Sequence, residues 1–516
     1  FICLLALTSV LACSLPSVVI TPPPVPIRLV TVAPNATPTP TPFQPAVVAL
    51  PLPTDTLIPS ETPTDVPTAT FTEPPPNPTD TPPPDTGTSI PSSTRPQYLF
   101  YAQLDYANRT LAAEETIRYY NLTGEALTEI VMAVPPNLTQ GAFFLNSLTQ
   151  NDVPLTNYSL VGERMSIILP EALGPGLVTT FKLSFSLSIP PKRYEGTFGY
   201  LGYQVNLTDW YPFIVPYSGG WILHDPWAFG EHLVYDSSDF EVNLKVNDPG
   251  VSVAASAPME ANGEWMRYRI YGARTFVFSA SDRYLVSESA VGPVAVRTYY
   301  FEGYEGAGDG LLRAALSAVG LFDAKFGPYP YDSLSVVQSD LPDGQEFDGL
   351  VFLGTKFYAA YGGSAKSNLV TIGVHEIAHQ WWFGLVGNDQ AMEPWLDEAL
   401  ALYSENTFYY YNFPRYGDWW WGFRVNYFNP GGWVDSSIYD HATFRSYVNA
   451  AYLNGANFLY DLNQRMGDDD FYRFLRDYAS RYSHARATTA DFFATLRQDT
   501  SVNVEDLISA YFQRSY

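Results

Sequence analysis

The chain has 516 residues, enough for two or three domains, and carries 53 acidic against 28 basic side chains, a formal charge of −25. Such a surface repels phosphate, so nucleic acid is excluded as a partner. Aromatic residues make up 16%, with 37 Tyr, which suits a β-rich domain whose large side chains pack on sheet faces.

The opening stretch, FICLLALTSVLACS, is apolar and resembles the hydrophobic part of a secretory signal. It holds both cysteines, Cys3 and Cys13, so the folded part is expected to contain no disulfide. Residues 10–13, VLAC, resemble a bacterial lipobox, in which Cys13 would carry the lipid. The expected location is the extracellular face of a bacterial cell membrane, tied there through Cys13, or otherwise secreted. The stretch is short for a transmembrane helix.

Residues 14–97 hold 24 of the 43 prolines, mixed with Thr, Asp and Ser. Such a segment lacks the spaced apolar residues a core needs, and it is expected to be a disordered, extended stalk. From about 98 to 290 the pattern becomes alternating. YLFYAQLDYANRTLAAEETIRYYNLTG reads as two strands around an Asn-containing turn. RMSIILP, TTFKLSFSLSIP, DFEVNLKVND, EWMRYRIYGA and RTFVFSAS continue it. The expectation is an antiparallel sandwich or saddle-shaped sheet.

From 291 to 516 helices are expected to dominate. GDGLLRAALSAVGLFDAKFG has helical apolar spacing and ends near a Gly-Pro. LVTIGVHEIAHQWWFG predicts a second helix closed by Gly384. EPWLDEALALYSENTFYYY predicts a third, with Pro394 in its first turn. Three further helical patterns run to the C-terminus. The fold class is thus α+β multidomain, a β-rich domain followed by a mostly helical one.

The chemistry lies in HEIAH. Residues four apart share one helix face, so His375 and His379 can aim their imidazoles at one ion. Glu376 can reach a water on that ion. Catalytic zinc wants a third protein ligand and an open fourth position. Glu398 follows His379 after 18 intervening residues, enough to turn and start the next helix. One Zn2+ per chain on His375, His379 and Glu398 is the expectation.

At this point the sequence resembles the gluzincin metallopeptidases related to aminopeptidase N. Their pattern is HExxH, 18 residues, then Glu, and here it stands as HEIAHQWWFGLVGNDQAMEPWLDEALA. The resemblance covers about 98 to 516 and implies a thermolysin-like catalytic domain. A later family motif, YxKGA, stands here as YLNGA, which puts Tyr452 at the catalytic tyrosine and Asn454 in place of the Lys. The family's GAMENWGL stands as DGQEFDGL, with Glu346 at its Glu and Asp343, Gln345 and Phe347 replacing neighbours. The resemblance implies that Glu346 binds a substrate amino group; on the residues alone it is equally a strand-edge carboxylate. Many members continue into a large helical domain over the cleft, and a chain ending at Tyr516 is expected to have a more open site.

The resemblance implies a zinc-dependent aminopeptidase acting on peptide or protein N-termini through a zinc-activated water. Glu376 would be the general base and Tyr452 the oxyanion donor. Two alternatives stay open here: a zinc endopeptidase or other hydrolase with the same centre, and a non-catalytic surface-binding protein. His224 and His232, in WILHDPWAFGEHL, are read as loop packing rather than a second metal site. Tyr447 is expected beside the cleft. Trp419 to Trp421 are read as core contacts.

Overall fold

The computed structural model describes residues 94–193 and 196–516. The apolar leader with Cys13, and the proline-rich segment up to residue 93, lie outside the described residues. Arg95 already pairs with Asp239 at 2.8 Å, and strand Gln97–Asp105 follows.

An eight-stranded sheet dominates the first half. Strand Thr110–Tyr120 alternates outward and buried side chains along its length, as a half-buried strand must. It pairs antiparallel with Gln97–Asp105 on one side and Val178–Ser188 on the other. The expected all-antiparallel pairing fails at one place. Gln97–Asp105 runs parallel to Ser238–Val246, with Tyr98 opposite Phe240. Alternation reports which face a side chain takes and is blind to strand direction, and the long chain between these strands allows either. Two four-stranded sheets complete the region. Trp210 joins the layers: its ring lies 5.0 Å from Phe100 of the large sheet and 5.7 Å from Phe278 of a small one.

The second half opens with a five-stranded sheet. The hairpin Leu285–Val291 and Val294–Tyr300 straddles residue 290 and belongs wholly to this sheet. Val294–Tyr300, Ser333–Ser339 and Leu350–Gly354 run parallel, with helix Glu305–Phe326 in the crossover. Gly344–Phe347 adds antiparallel at the edge. Helices follow to the C-terminus, giving a mixed α+β architecture. No helix among the described residues is long and apolar enough to cross a membrane.

Helix Asn368–Ala378 carries the HEIAH residues. Ser367 caps it, accepting from the Val370 N–H. It is buried on every side from Leu369 to Ala378, so its sequence is apolar all round apart from the chemistry. Gly373 lets it approach helix Glu305–Phe326; a Cβ there would meet Leu311 at 2.6 Å. The expected end at Gly384 is corrected. The helix stops at Ala378 with His379 as its C-cap, and Gln380 to Gly384 form tight turns. The Gly384 N–H reaches back to the His379 carbonyl at 2.9 Å, so this glycine closes the turn after the helix rather than the helix itself.

Candidate metal centre

His375 and His379 present their Nε2 atoms to one carboxylate oxygen, Glu398 Oε2, at 3.2 and 3.5 Å. One donor atom from each of the three residues lies within 4.8 Å of the others. Glu398 comes from the first turn of helix Trp395–Asn412. Helix Gly455–Met466 crosses close by, because Gly455 leaves room; a Cβ there would lie 2.5 Å from the Ala399 Cβ. Two imidazole nitrogens and a carboxylate oxygen, all buried and converging, are the donor set of a zinc site with an open position. The residues fit zinc.

Buried groups behind the donors hold them in place. His379 Nδ1 donates to the Trp382 carbonyl at 2.9 Å, which leaves its Nε2 for the ion. His375 Nδ1 lies 3.0 Å from Glu405 Oε1. Glu405 accepts in turn from Arg424 Nε at 2.7 Å and Trp420 Nε1 at 2.9 Å. Trp420 is therefore a core contact, as expected, and it also supports the site. Burial alone would raise the Glu398 pKa, but His375 and His379 outweigh it and bring it down to about 2. Burial likewise opposes the charge on Glu405, and Arg424 and His375 overcome it. For His375, burial lowers the pKa while Glu398 and Glu405 raise it to about 9.

Glu376 is buried beside these ligands, and burial pushes its carboxyl well above the usual range. Its side chain lies against Gly344 of the edge strand. A Cβ at Gly344 would fall 2.2 Å from Glu376 Oε1, so the glycine makes the space the carboxylate occupies. Tyr452 sits on a π-helical turn, Val448–Asn454, a local geometry often found at functional sites. Its ring stacks parallel to His375, 6.3 Å away. Burial pushes its phenol well up, and the Glu398 carboxylate adds to this. Tyr447 does not line the cavity, contrary to expectation. It is fully buried, edge-on to Tyr452 at 5.3 Å.

A cavity of about 560 Å³ joins these groups. Glu346, Glu376, His375, His379, Glu398 and Tyr452 all line it. Glu346 is buried on the edge strand and accepts from Gln345 Nε2 at 2.9 Å and Gln390 Nε2 at 3.3 Å. A residue missed in the sequence stands next to it. Glu231, from the loop of the β-rich region, brings a carboxylate oxygen within 4.8 Å of Glu346 and Glu398. Burial raises its pKa well above the usual range, with Glu346 and Glu398 adding to it. His232 and His224 hold this loop. His232 Nε2 lies 2.8 Å from Glu163 and His224 Nε2 lies 2.9 Å from Asp389. Each histidine pairs with one carboxylate, so among the described residues they form no second metal cluster. Gly230, at φ 75°, completes the turn where a Cβ would strike Ile438 at 2.6 Å.

Residues 326–511 match the model of the peptidase family M1 domain. Among curated relatives, aminopeptidase M1-B of Oryza sativa is 26% identical over 234 residues, 42% of this chain and 26% of that protein. Aminopeptidase M1 of Arabidopsis thaliana is 25% identical over 235 residues, again 42% of this chain and 26% of the relative. The chain thus spans about a quarter of the length of these relatives. The crystal structure of an M1 zinc metallopeptidase from Deinococcus radiodurans superposes with a TM-score of 0.59 at 17% identity, covering 82% of this chain and 94% of that one. A mutant of that enzyme was solved with a Tyr-Ser-Ala substrate. Residues 326–511, which include His375, His379 and Glu398, are thus similar to the peptidase family M1 domain.

Proposed function

We propose that the protein is a zinc aminopeptidase that removes residues from the free amino ends of peptides. The observation that carries this reading is the placement of Glu231 and Glu346. Two carboxyls, the buried Glu346 and the half-buried Glu231, share the cavity with the metal donors. A crowded acidic pair favours a cation, and a peptide's amino terminus is the cation that would reach it.

His375, His379 and Glu398 would hold a zinc ion, which would supply Lewis acidity toward the scissile carbonyl and the attacking water. Glu376 takes the proton of the attacking water and returns it to the leaving amine. Its buried setting, which raises its affinity for a proton, suits this exchange. Tyr452 donates to the oxyanion that develops on the former carbonyl oxygen. Glu231 and Glu346 hold the amino group, so the first peptide bond is the one in reach. The Glu346→Gln variant tests the anchor. Its KM for a free-amine peptide should rise at least about tenfold, the cost of one charge-assisted contact. An unchanged KM would remove Glu346 from substrate binding.

The residues before the fold support, on sequence grounds, a body tethered by lipid on Cys13 and a proline-rich stalk at the outer face of a bacterial membrane. A Cys13→Ala variant should leave the membrane fraction; if it stays there, the lipid anchor is wrong.

A further inference from the structure

The proposed amine anchor gives the cavity a direction. Glu346 lies on the edge strand two residues from Gly344, about 7 Å at the rise of an extended chain. Gly344 lies against the Glu376 carboxylate, so the bond to be cut sits near it. The cavity continues past this point to Asp343, Leu341 and Lys356. Arg193 of the β-rich region lines it as well. Strand Gly199–Leu201, which follows the Arg193 loop, pairs with Gln204–Leu207, and the latter is anchored on this side. Gln204 Nε2 donates to the Gln338 carbonyl at 2.8 Å and Asn206 Nδ2 to Ser339 Oγ at 3.1 Å, just before Leu341.

Cations are the minority in a chain of charge −25. Lys356 and Arg193 are both exposed, and neither forms an ion pair among the described residues. The acid at this end, Asp343, is half-buried and is shared electrostatically by Lys356, Arg424 and His375. The cavity lining therefore holds two glutamates beside the metal donors and two exposed cations, Lys356 on the Asp343 side and Arg193 from the β-rich region.

Resting on the aminopeptidase reading, we propose that Lys356 and Arg193 form a carboxylate-binding subsite on the leaving side of the cut bond. The preferred substrates are then short peptides with a carboxylate one or two residues past that bond. That carboxylate belongs either to the peptide's own C-terminus or to an acidic side chain.

The full-length, zinc-loaded Glu376→Gln variant, which should hold peptides without cutting them, allows binding to be measured by calorimetry. Three ligands are compared: a tripeptide with a free C-terminus, its C-terminal amide with Asn at the second position, and the same amide with Asp there. One or both carboxylate-bearing ligands should bind about two- to fivefold tighter than the Asn amide, the range for an exposed charge pair. Which of them gains identifies the source of the carboxylate. Adding Lys356→Gln and Arg193→Gln should abolish the preference, and Lys356→Glu should reverse it. Equal binding of all three, or a preference that survives the double change, would overturn the subsite. Failure of every ligand to bind would instead overturn the aminopeptidase reading, and the subsite with it.

Discussion

Glu115, in the β-rich region, and Glu405, behind the metal helix, are both buried from solvent, yet they are held in opposite states. Glu115 lies on strand Thr110–Tyr120 with neither carboxyl oxygen hydrogen bonded, and burial pushes its pKa well up. Glu405 meets the same burial, but Arg424, Trp420 and His375 surround it and keep it charged. Burial sets the default for a carboxyl, and its neighbours decide whether the default stands. The metal centre uses both outcomes within one cavity. Glu398 is charged to hold an ion, whereas Glu376, Glu346 and Glu231 are driven toward the protonated form and gain by meeting a proton or a cation.

The largest expected effect breaks the pairing of burial with chemistry at Glu376. Glu376→Gln should keep zinc, measured as metal content, and lose about 10²–10⁴ in kcat. Full turnover would dismiss it as the base. Next comes Tyr452→Phe, which removes one oxyanion donor. Here kcat should fall about 10²–10³ with KM little changed; an unaltered kcat would return Tyr452 to a packing role. Glu405→Gln sharpens the comparison directly, since it removes the charge that His375 and Arg424 share. Zinc affinity, measured by competition with a chelator, should drop about 10- to 100-fold.

The smallest effect is at Glu115 and concerns pH. A carboxyl whose folded pKa lies above its unfolded value favours folding at acid pH, and that stability is lost as pH rises above the unfolded value, up through the folded one. Glu115→Gln should therefore raise Tm at pH 8 and change it little at pH 4. An equal shift at both pH values would mean that Glu115 does not carry the proton as described.

The parts legible in the sequence were those governed by short-range periodicity. His375, Glu376 and His379 share a helix face by spacing alone, and Glu398 follows at a distance that a turn between helices explains. Glu405 offered the same kind of signal, unused: it stands seven residues after Glu398, on the same helix face. Glu231 had no such signal. It reaches the site because its loop is fastened by His232 to Glu163 and by His224 to Asp389, partners that no local pattern connects. The parallel pairing of Gln97–Asp105 with Ser238–Val246 was hidden for a related reason, since alternation fixes faces and not neighbours. The early end of the metal helix at Ala378 was masked by QWWF, whose bulky residues look helical but pack in turns against Phe326 and Tyr478.

The central claim is that the acidic pair Glu231 and Glu346 reads a free amino terminus beside the metal donors. The most direct measurement offers the zinc-loaded full-length protein one set of peptides twice, with free and with acetylated amino termini, and identifies products by mass. The account predicts stepwise loss of single residues from the free peptides and no cleavage of the acetylated ones. Internal cuts in both sets would contradict it and make the protein an endopeptidase.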